Sequence, residues 1–235
     1  MAKRYKRYKY LWFRALCGFL KLFVGKNQFV YLGEPFSDQA LILSNHVGAR
    51  GPFSFELNLK QTFRFWGTHL MNGGLKEVYK YQTEIYYHQK KGWNIHLARL
   101  FCLVASPLTH LFYKGLNLIS TYPDIRLRHT FEESLATLEE HQSIVIFPED
   151  SNNGYFDELT QFFKGFIAFG DYALKHGLDL PVYICYLERK QHRHIVDAPV
   201  KFSELKARYN SRNEFAAAVC ARCNELGRMA REHKI

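Results

Sequence analysis

The first 33 residues contain no acidic side chain, which makes the charge distribution of the chain uneven. Eight basic residues precede Glu34, and without that segment the net charge falls from +10 to about +2. A nearly balanced remainder is not typical of a protein that binds polyanions over its whole surface. We therefore expect no nucleic-acid partner.

Cysteines are few and odd in number, and the 235 residues lack repeats, low-complexity tracts and long linkers. Cys17, Cys102 and Cys185 lie in apolar segments, which indicates reduced, buried thiols in a cytosolic compartment. Cys220 and Cys223 share a face of a predicted helix, where core packing explains them better than an irregularly spaced metal site. We expect no metal and no bound cofactor.

The apolar segment near the N-terminus is shorter than a membrane span. Residues 10–24 would form a helix of ~22 Å, against the ~30 Å of a bilayer core. Arg14 and Lys21 lie on one helical face and interrupt the apolar region that a signal peptide requires. We expect residues 1–28 to be a basic amphipathic segment in the membrane interface, with a helix docked on the protein as the alternative. The protein would then be peripheral or monotopic on the cytoplasmic face.

Strands alternate with helices through the rest of the chain. This order predicts a single α/β domain over residues 29–235, with a mostly parallel central sheet flanked by helices. The expected strands are two within 29–44 and one each at 62–68, 116–120, 143–147, 181–187 and 194–200. The expected helices are 53–59, 123–140 with Pro123 in its first turn, 161–175, and one that opens at a capping box on Ser211.

Two further stretches follow the predicted strand at 62–68. Residues 71–92 are polar and aromatic, and 93–113 form a second long apolar stretch that Pro107 should break or kink. The apolar stretch is either a buried helical hairpin, which we favour, or a lid that touches lipid. Residues 192–194 predict a solvated hairpin loop.

A polar cluster follows the first predicted central strand. Ala40–Leu43 is an apolar run that ends at Ser44 and Asn45, so His46 lies at the strand tip before a glycine-rich turn. In open α/β sheets the carboxyl ends of the strands form the crevice that binds ligands. A histidine at this place is a candidate general base, although a lone histidine more often caps a turn.

A second cluster comes about a hundred residues later, at the end of the β-branched run 143–147. Glu149, Asp150 and Ser151 follow this strand and would share the crevice with His46. Lys164 lies thirteen residues beyond Ser151, in the first turns of the next helix, where it either meets an anion or is an ordinary solvated lysine.

The order and spacing of these motifs resemble the glycerophospholipid acyltransferase superfamily, of which lysophosphatidic acid acyltransferase is the familiar member. Asn45-His46 is similar to the start of the family's Asn-His-x-x-x-x-Asp motif, and Phe147-Pro148-Glu149 to the start of Phe-Pro-Glu-Gly-Thr/Ser-Arg. The resemblance covers residues 35–202 and also includes a lysine segment at 163–166 and a strand at 180–182.

The sequence departs from the family pattern at three points. Gly51 stands where the family has the aspartate that orients the histidine, and Glu149 or Asp150 is the substitute that we favour over Glu56. The Phe-Pro-Glu motif lacks the glycine and the arginine that follow it in the family. A further family motif has a glycine followed six residues later by an arginine; here Gly115 is followed at that spacing by Thr121. The remaining cationic candidates for an acceptor phosphate are Lys164, Arg50 and Arg126.

The resemblance implies an O-acyltransferase of lipid metabolism. His46 would take the proton of an acceptor hydroxyl, which then attacks an acyl thioester. The partners would be a membrane lipid surface, acyl-CoA or acyl-carrier protein as co-substrate, and a lipid alcohol or glycerol-phosphate-like acceptor. The predicted substrate-binding residues are Asn45, Arg50, Phe147, Pro148, Ser151 and Lys164. The alternative is a catalytically silent protein of the same fold that binds lipid or acyl chains.

Overall fold

The computed structural model describes residues 11–22, 25–152 and 154–232. The strands are β1 (Gln28–Tyr31), β2 (Leu41–Ser44), β3 (Phe63–Thr68), β4 (Ile119–Thr121), β5 (Ser143–Ile146), β6 (Pro181–Glu188), β7 (Arg193–Val196) and β8 (Val200–Lys201). The α-helices are α1 (Leu11–Leu20), α2 (Arg50–Asn58), α3 (Leu75–Lys80), α4 (Ile95–Leu116), α5 (Leu127–Glu139), α6 (Gly165–Lys175), α7 (Phe202–Ala207) and α8 (Arg212–Arg231). A 3₁₀ turn spans His69–Met71, and a π-helix spans Tyr81–Lys90.

The strands form one sheet in the order β1-β7-β6-β2-β5-β3-β4, and β8 pairs with β6. The five strands from β6 to β4 are parallel, whereas β7 is antiparallel to β6. The predicted α/β domain with a mostly parallel sheet is thus confirmed. Because β2 and β5 are adjacent and parallel, the residues that follow them emerge at the same edge.

Helices cover both faces of the sheet, because alternate residues of each buried strand point to opposite sides. Leu41 and Leu43 belong to a core that includes side chains of α6 and α8. Ile42 belongs to the other core, with Phe13 of α1 and Phe55 of α2. All five cysteines are buried and free, as predicted.

Two predictions of local structure are wrong, those for the start of α5 and for His194, whereas the sequence predicted no secondary structure for 71–92. Helix α5 begins at Leu127, and Pro123 lies in the preceding turn, where Asp124 accepts the N–H of Arg126. The aromatic stretch 71–92 is largely helical. His194 is fully buried in β7 and does not lie in a solvated loop.

The second apolar stretch is one continuous helix rather than the favoured buried hairpin. Helix α4 runs through Pro107 and packs on the π-helix, where the buried Ser106 hydroxyl donates to Gln82 Oε1 at 2.6 Å. Among the described residues, α4 is the helix whose length and composition would allow a membrane span. However, most of its apolar segment is not buried in the protein.

The buried His194 makes the fold sensitive to acid. Its Nε2 lies 2.6 Å from Ser54 Oγ, and its ring stacks on Phe29 at 4.5 Å. Desolvation lowers the pKa of His194 from 6.5 to about 3, so the ring stays neutral in the folded protein at pH values where the unfolded chain is protonated.

We expect the free energy of unfolding to fall as pH falls from 6.5 towards 3, because the unfolded state then binds one more proton at His194. The contribution is about 1.4 kcal/mol per pH unit, or about 2 kcal/mol at pH 5. Urea unfolding of the wild type and of His194→Gln at pH 7 and pH 5 measures it. The free energy of unfolding of the variant should fall less steeply with pH, because the proton taken up at His194 is missing. Equal slopes for the variant and the wild type would contradict the assignment.

Candidate active site

Asn45 joins the end of β2 to β6. Its side-chain amide donates to the Leu187 carbonyl at 3.2 Å, and its Oδ1 accepts the Leu187 N–H at 2.7 Å. The side chain thus completes the strand pairing where the backbone of β2 leaves the sheet, and Asn45 is fully buried. This pair of hydrogen bonds fixes the point from which His46 extends.

The chain turns sharply after His46. Val47 and Gly48 both have positive φ, at 49° and 64°. A β-branched residue in this region is an outlier that costs on the order of 1–3 kcal/mol. Gly48 also lies against the Tyr86 hydroxyl, 3.3 Å from where its Cβ would be, so this position requires glycine.

Gly51 closes the turn and leaves no room for a side chain. Its N–H donates to the His46 carbonyl at 3.1 Å. A Cβ on Gly51 would overlap that carbonyl oxygen and would lie 3.2 Å from the Phe147 ring. In this conformation of the turn, position 51 cannot carry a side chain unless the His46 carbonyl moves.

Glu149 holds the backbone of His46 and not its ring. Its Oε2 accepts the His46 N–H at 2.8 Å, and the side chain is buried. Burial raises the pKa of Glu149 to about 7, although the His46 N–H and the nearby Lys90 act in the opposite direction. The contact joins the carboxyl ends of β2 and β5, which were predicted to share one crevice.

The His46 ring is oriented by aromatic packing. Phe147 lies at 4.9 Å in a tilted arrangement, and Tyr155 stacks on the ring at 5.3 Å. Desolvation lowers the pKa of His46 to about 4, partly offset by the backbone of Gly48 and of His46 itself. Nδ1 is buried and makes no hydrogen bond of normal geometry to any residue that the structure describes.

The π-helix covers the turn with residues that the sequence analysis did not single out. Lys90, its last residue, donates from Nζ to Ser151 Oγ at 2.7 Å. The Lys91 ammonium lies over the rings of Tyr155 and Tyr86, 5.4 Å and 5.9 Å from their centres. Partial burial lowers the pKa of Lys90, against the attraction of Asp150 and Glu149. π-helices are rare overall, and many of them lie at functional sites. The 3.6-residue periodicity that identifies α-helices in a sequence does not reveal them.

Pro148 and the two residues after it pair with the segment before α6. The Pro148 carbonyl accepts the Phe163 N–H at 2.7 Å, and the Asp150 N–H donates to Gln161 at 3.0 Å. The Asp150 carboxylate caps its own turn by accepting the Asn152 N–H at 3.1 Å. The structure therefore brings Asn45, His46, Phe147, Glu149 and Ser151 together, with Pro148 and Asp150 beside them.

The cations proposed from the sequence are differently placed. Lys164 donates from Nζ to Asn213 Oδ1 at 2.7 Å, at the start of α8. Arg126 pairs with Asp124 at 2.7 Å and stacks on Tyr122. Arg50 is exposed in the first turn of α2, close in sequence to His46. Lys90, which the sequence analysis missed, is the lysine hydrogen-bonded within the His46 cluster.

The geometry at Gly51 predicts that an aspartate introduced at this position destabilises the folded protein. We expect Gly51→Asp to lower the free energy of unfolding by about 1–3 kcal/mol, because the new Cβ overlaps the His46 carbonyl. Gly51→Ala should cost a similar amount, since it introduces the same Cβ without the charge. Urea unfolding measures both; variants as stable as the wild type would show that the turn can move aside.

Comparison with known proteins supports the fold but does not test the roles of individual residues. No family model and no curated protein matches the sequence. The crystal structure of the 1-acyl-sn-glycerophosphate (LPA) acyltransferase PlsC from Thermotoga maritima is similar, with a TM-score of 0.50 and 15% sequence identity. The match covers 91% of this chain and 79% of the other. The chain therefore has the α/β fold of a PlsC-type acyltransferase.

Proposed function

We propose that the protein is an O-acyltransferase that uses His46 as general base. It would transfer a fatty acyl group from acyl-CoA or acyl-carrier protein to the hydroxyl of a lipid alcohol or a glycerol-phosphate-like acceptor. The observation that carries this proposal is a neutral, half-buried histidine at the carboxyl end of a central strand, in an acyltransferase fold. The proposal requires no metal or bound cofactor.

In the proposed reaction, His46 accepts the proton of the acceptor hydroxyl as its oxygen attacks the thioester carbonyl. The carbonyl oxygen becomes an oxyanion, which collapses to the ester carbonyl as the carbon–sulfur bond breaks, and the thiolate leaves with the proton that His46 returns. The N–H groups of Val47 and Gly48 are candidate oxyanion donors, because they donate to no acceptor among the described residues. Their positive φ angles belong to the same strained turn.

Glu149 would support the base through the backbone. Its hydrogen bond to the His46 N–H holds the turn and hence the ring position. Asp150 would help to hold the same loop through its own turn. Neither role reproduces the ring-to-carboxylate contact that the family aspartate provides, and this difference favours the second candidate, a catalytically silent protein that binds lipid or acyl chains.

Lys90 and Lys91 are the cations that we propose for an anionic acceptor. Lys90 is already hydrogen-bonded to Ser151, and Lys91 lies beside Gly48 and Tyr155. Arg50 is exposed at the edge of the same turn. Asn45, Phe147 and Pro148 would shape the site, whereas Lys164, held by Asn213, would have a lesser part.

The proposed membrane partner rests on the N-terminal segment 1–28 and the cytoplasmic location on the reduced thiols. Residues 1–10, 23 and 24 of this segment lie outside the described structure. Helix α1 docks on the protein through the buried Phe13, which lies 5.7 Å from Phe112. The docked alternative therefore describes α1, and we propose that the basic residues before it lie in the membrane interface.

The first experiment separates an enzyme from a silent binder. Acyl transfer from acyl-CoA and acyl-carrier protein is measured with a panel of lipid alcohols and lysophospholipids. We expect His46→Ala to lower kcat by about 10²–10⁴-fold, the usual contribution of a general base. His129→Ala is the matched control, since His129 is exposed on α5. A folded wild type that is inactive with every pair would overturn the enzyme proposal.

The second experiment asks which lysine binds the acceptor. We expect Lys90→Gln to raise KM for a phosphate-bearing acceptor about 10-fold and to leave KM for the acyl donor unchanged, because it removes one charged contact. Lys164→Gln is the control of identical chemistry at the lysine held by Asn213. A larger effect of Lys164→Gln than of Lys90→Gln would reverse the assignment.

A further inference from the structure

One face of α4 exposes large apolar side chains over four turns. Leu97, Leu100, Val104, Leu108 and Leu111 follow one another at intervals of three or four residues, which places them on one side of the helix. Their exposed fractions are 63%, 67%, 82%, 50% and 45%. Contiguous exposed apolar surface on a folded protein usually marks a binding surface.

The opposite face of α4 is part of the protein core. Ala98 and Cys102 are fully buried, and Ser106 is hydrogen-bonded to Gln82 of the π-helix. A helix held along one side in this way cannot enter a bilayer as a lipid-surrounded span without losing these contacts. It can lie flat on a surface with its apolar side outwards.

The neighbouring helix α1 extends the same surface. Phe13 of α1 packs on Phe112 and fills the space beside Gly115 of α4. Leu11 and Phe19 of α1 remain exposed, at 80% and 55%. The exposed apolar face of α4 therefore adjoins a helix that also exposes apolar side chains and that follows the basic residues of the N-terminal sequence.

The charged side chains of α1 and α4 themselves are all positive. Helices α1 and α4 contain no acidic residue, and Arg14, Lys21, Arg99 and Lys114 are exposed on or beside them. Anionic headgroups attract such a rim, whereas a second copy of the same chain would bring like charges together. The charge pattern thus favours an anionic lipid surface as the occupant.

We propose that the exposed face of α4, extended by α1, docks flat on an anionic bilayer surface. The inner side of α4 packs on the π-helix, and Lys90 and Lys91 at the end of that helix lie beside the His46 turn, so docking would place the site close to the lipid. This inference rests on the membrane partner proposed above, and it stands whether or not His46 transfers an acyl group.

Flotation of the full-length protein with vesicles of phosphatidylcholine and 30% phosphatidylglycerol tests the surface. Leu100→Asp and Val104→Asp should each lower the partition coefficient about tenfold, because each replaces an apolar contact with the lipid by a charge. Ile125→Asp is the matched control, since Ile125 is 92% exposed and lies outside α4. Arg99→Gln should weaken binding about fivefold to these vesicles and not to pure phosphatidylcholine.

Thermal unfolding shows whether the variants remain folded, and transfer to a water-soluble acceptor shows whether catalysis survives. Brominated lipids should quench the tryptophan fluorescence of the bound wild type, a readout that does not depend on the folding of the α4 variants. Trp93→Phe, which removes the tryptophan that precedes α4, should reduce that quenching but not abolish it, because Trp12 of α1 remains. Wild-type binding by both α4 variants, or an equal loss in Ile125→Asp, would overturn the proposal. So would dimerisation in solution that the same α4 substitutions abolish.

Discussion

The hydrogen bond from the His46 N–H to the Glu149 carboxylate joins the two halves of the site. It spans the ends of β2 and β5 and stabilises a turn in which Val47 has positive φ. Burial makes this contact costly for an ionised carboxylate, as the raised pKa of Glu149 indicates. Together with the hydrogen bonds of Asn45 and the aromatic packing on the ring, it defines the position of His46.

The π-helix and α4, which pack against each other, connect the candidate site with the exposed apolar face of α4. Their inner side brings Lys90 to Ser151, beside the turn that carries His46. Their outer side presents the apolar face that we propose for lipid. The buried hydrogen bond between Ser106 and Gln82 helps to hold these two helices together.

The glycine at position 51, where the motif resemblance would predict an aspartate, has a local structural explanation in this chain. Gly51 donates to the carbonyl of His46, and the space beside it is already occupied. Packing against Phe147 and Tyr155 orients the ring instead. A site of this kind relies on shape more than on an ion pair, and the low pKa of His46 follows from that apolar environment.

The sequence alone determined the α/β class, the principal strands and the placement of the His46 and Glu149 segments at one edge of the sheet. These features follow from strand periodicity and strand-end position, which are local properties. It could not show that Glu149 binds the backbone of His46, or that Lys90 and Tyr155 join the site. Those contacts depend on how a π-helix and a distant loop fold over the turn, which no residue spacing encodes. The exposed face of α4 was likewise decided only by tertiary packing, since an apolar helix has the same composition whether protein or lipid covers it.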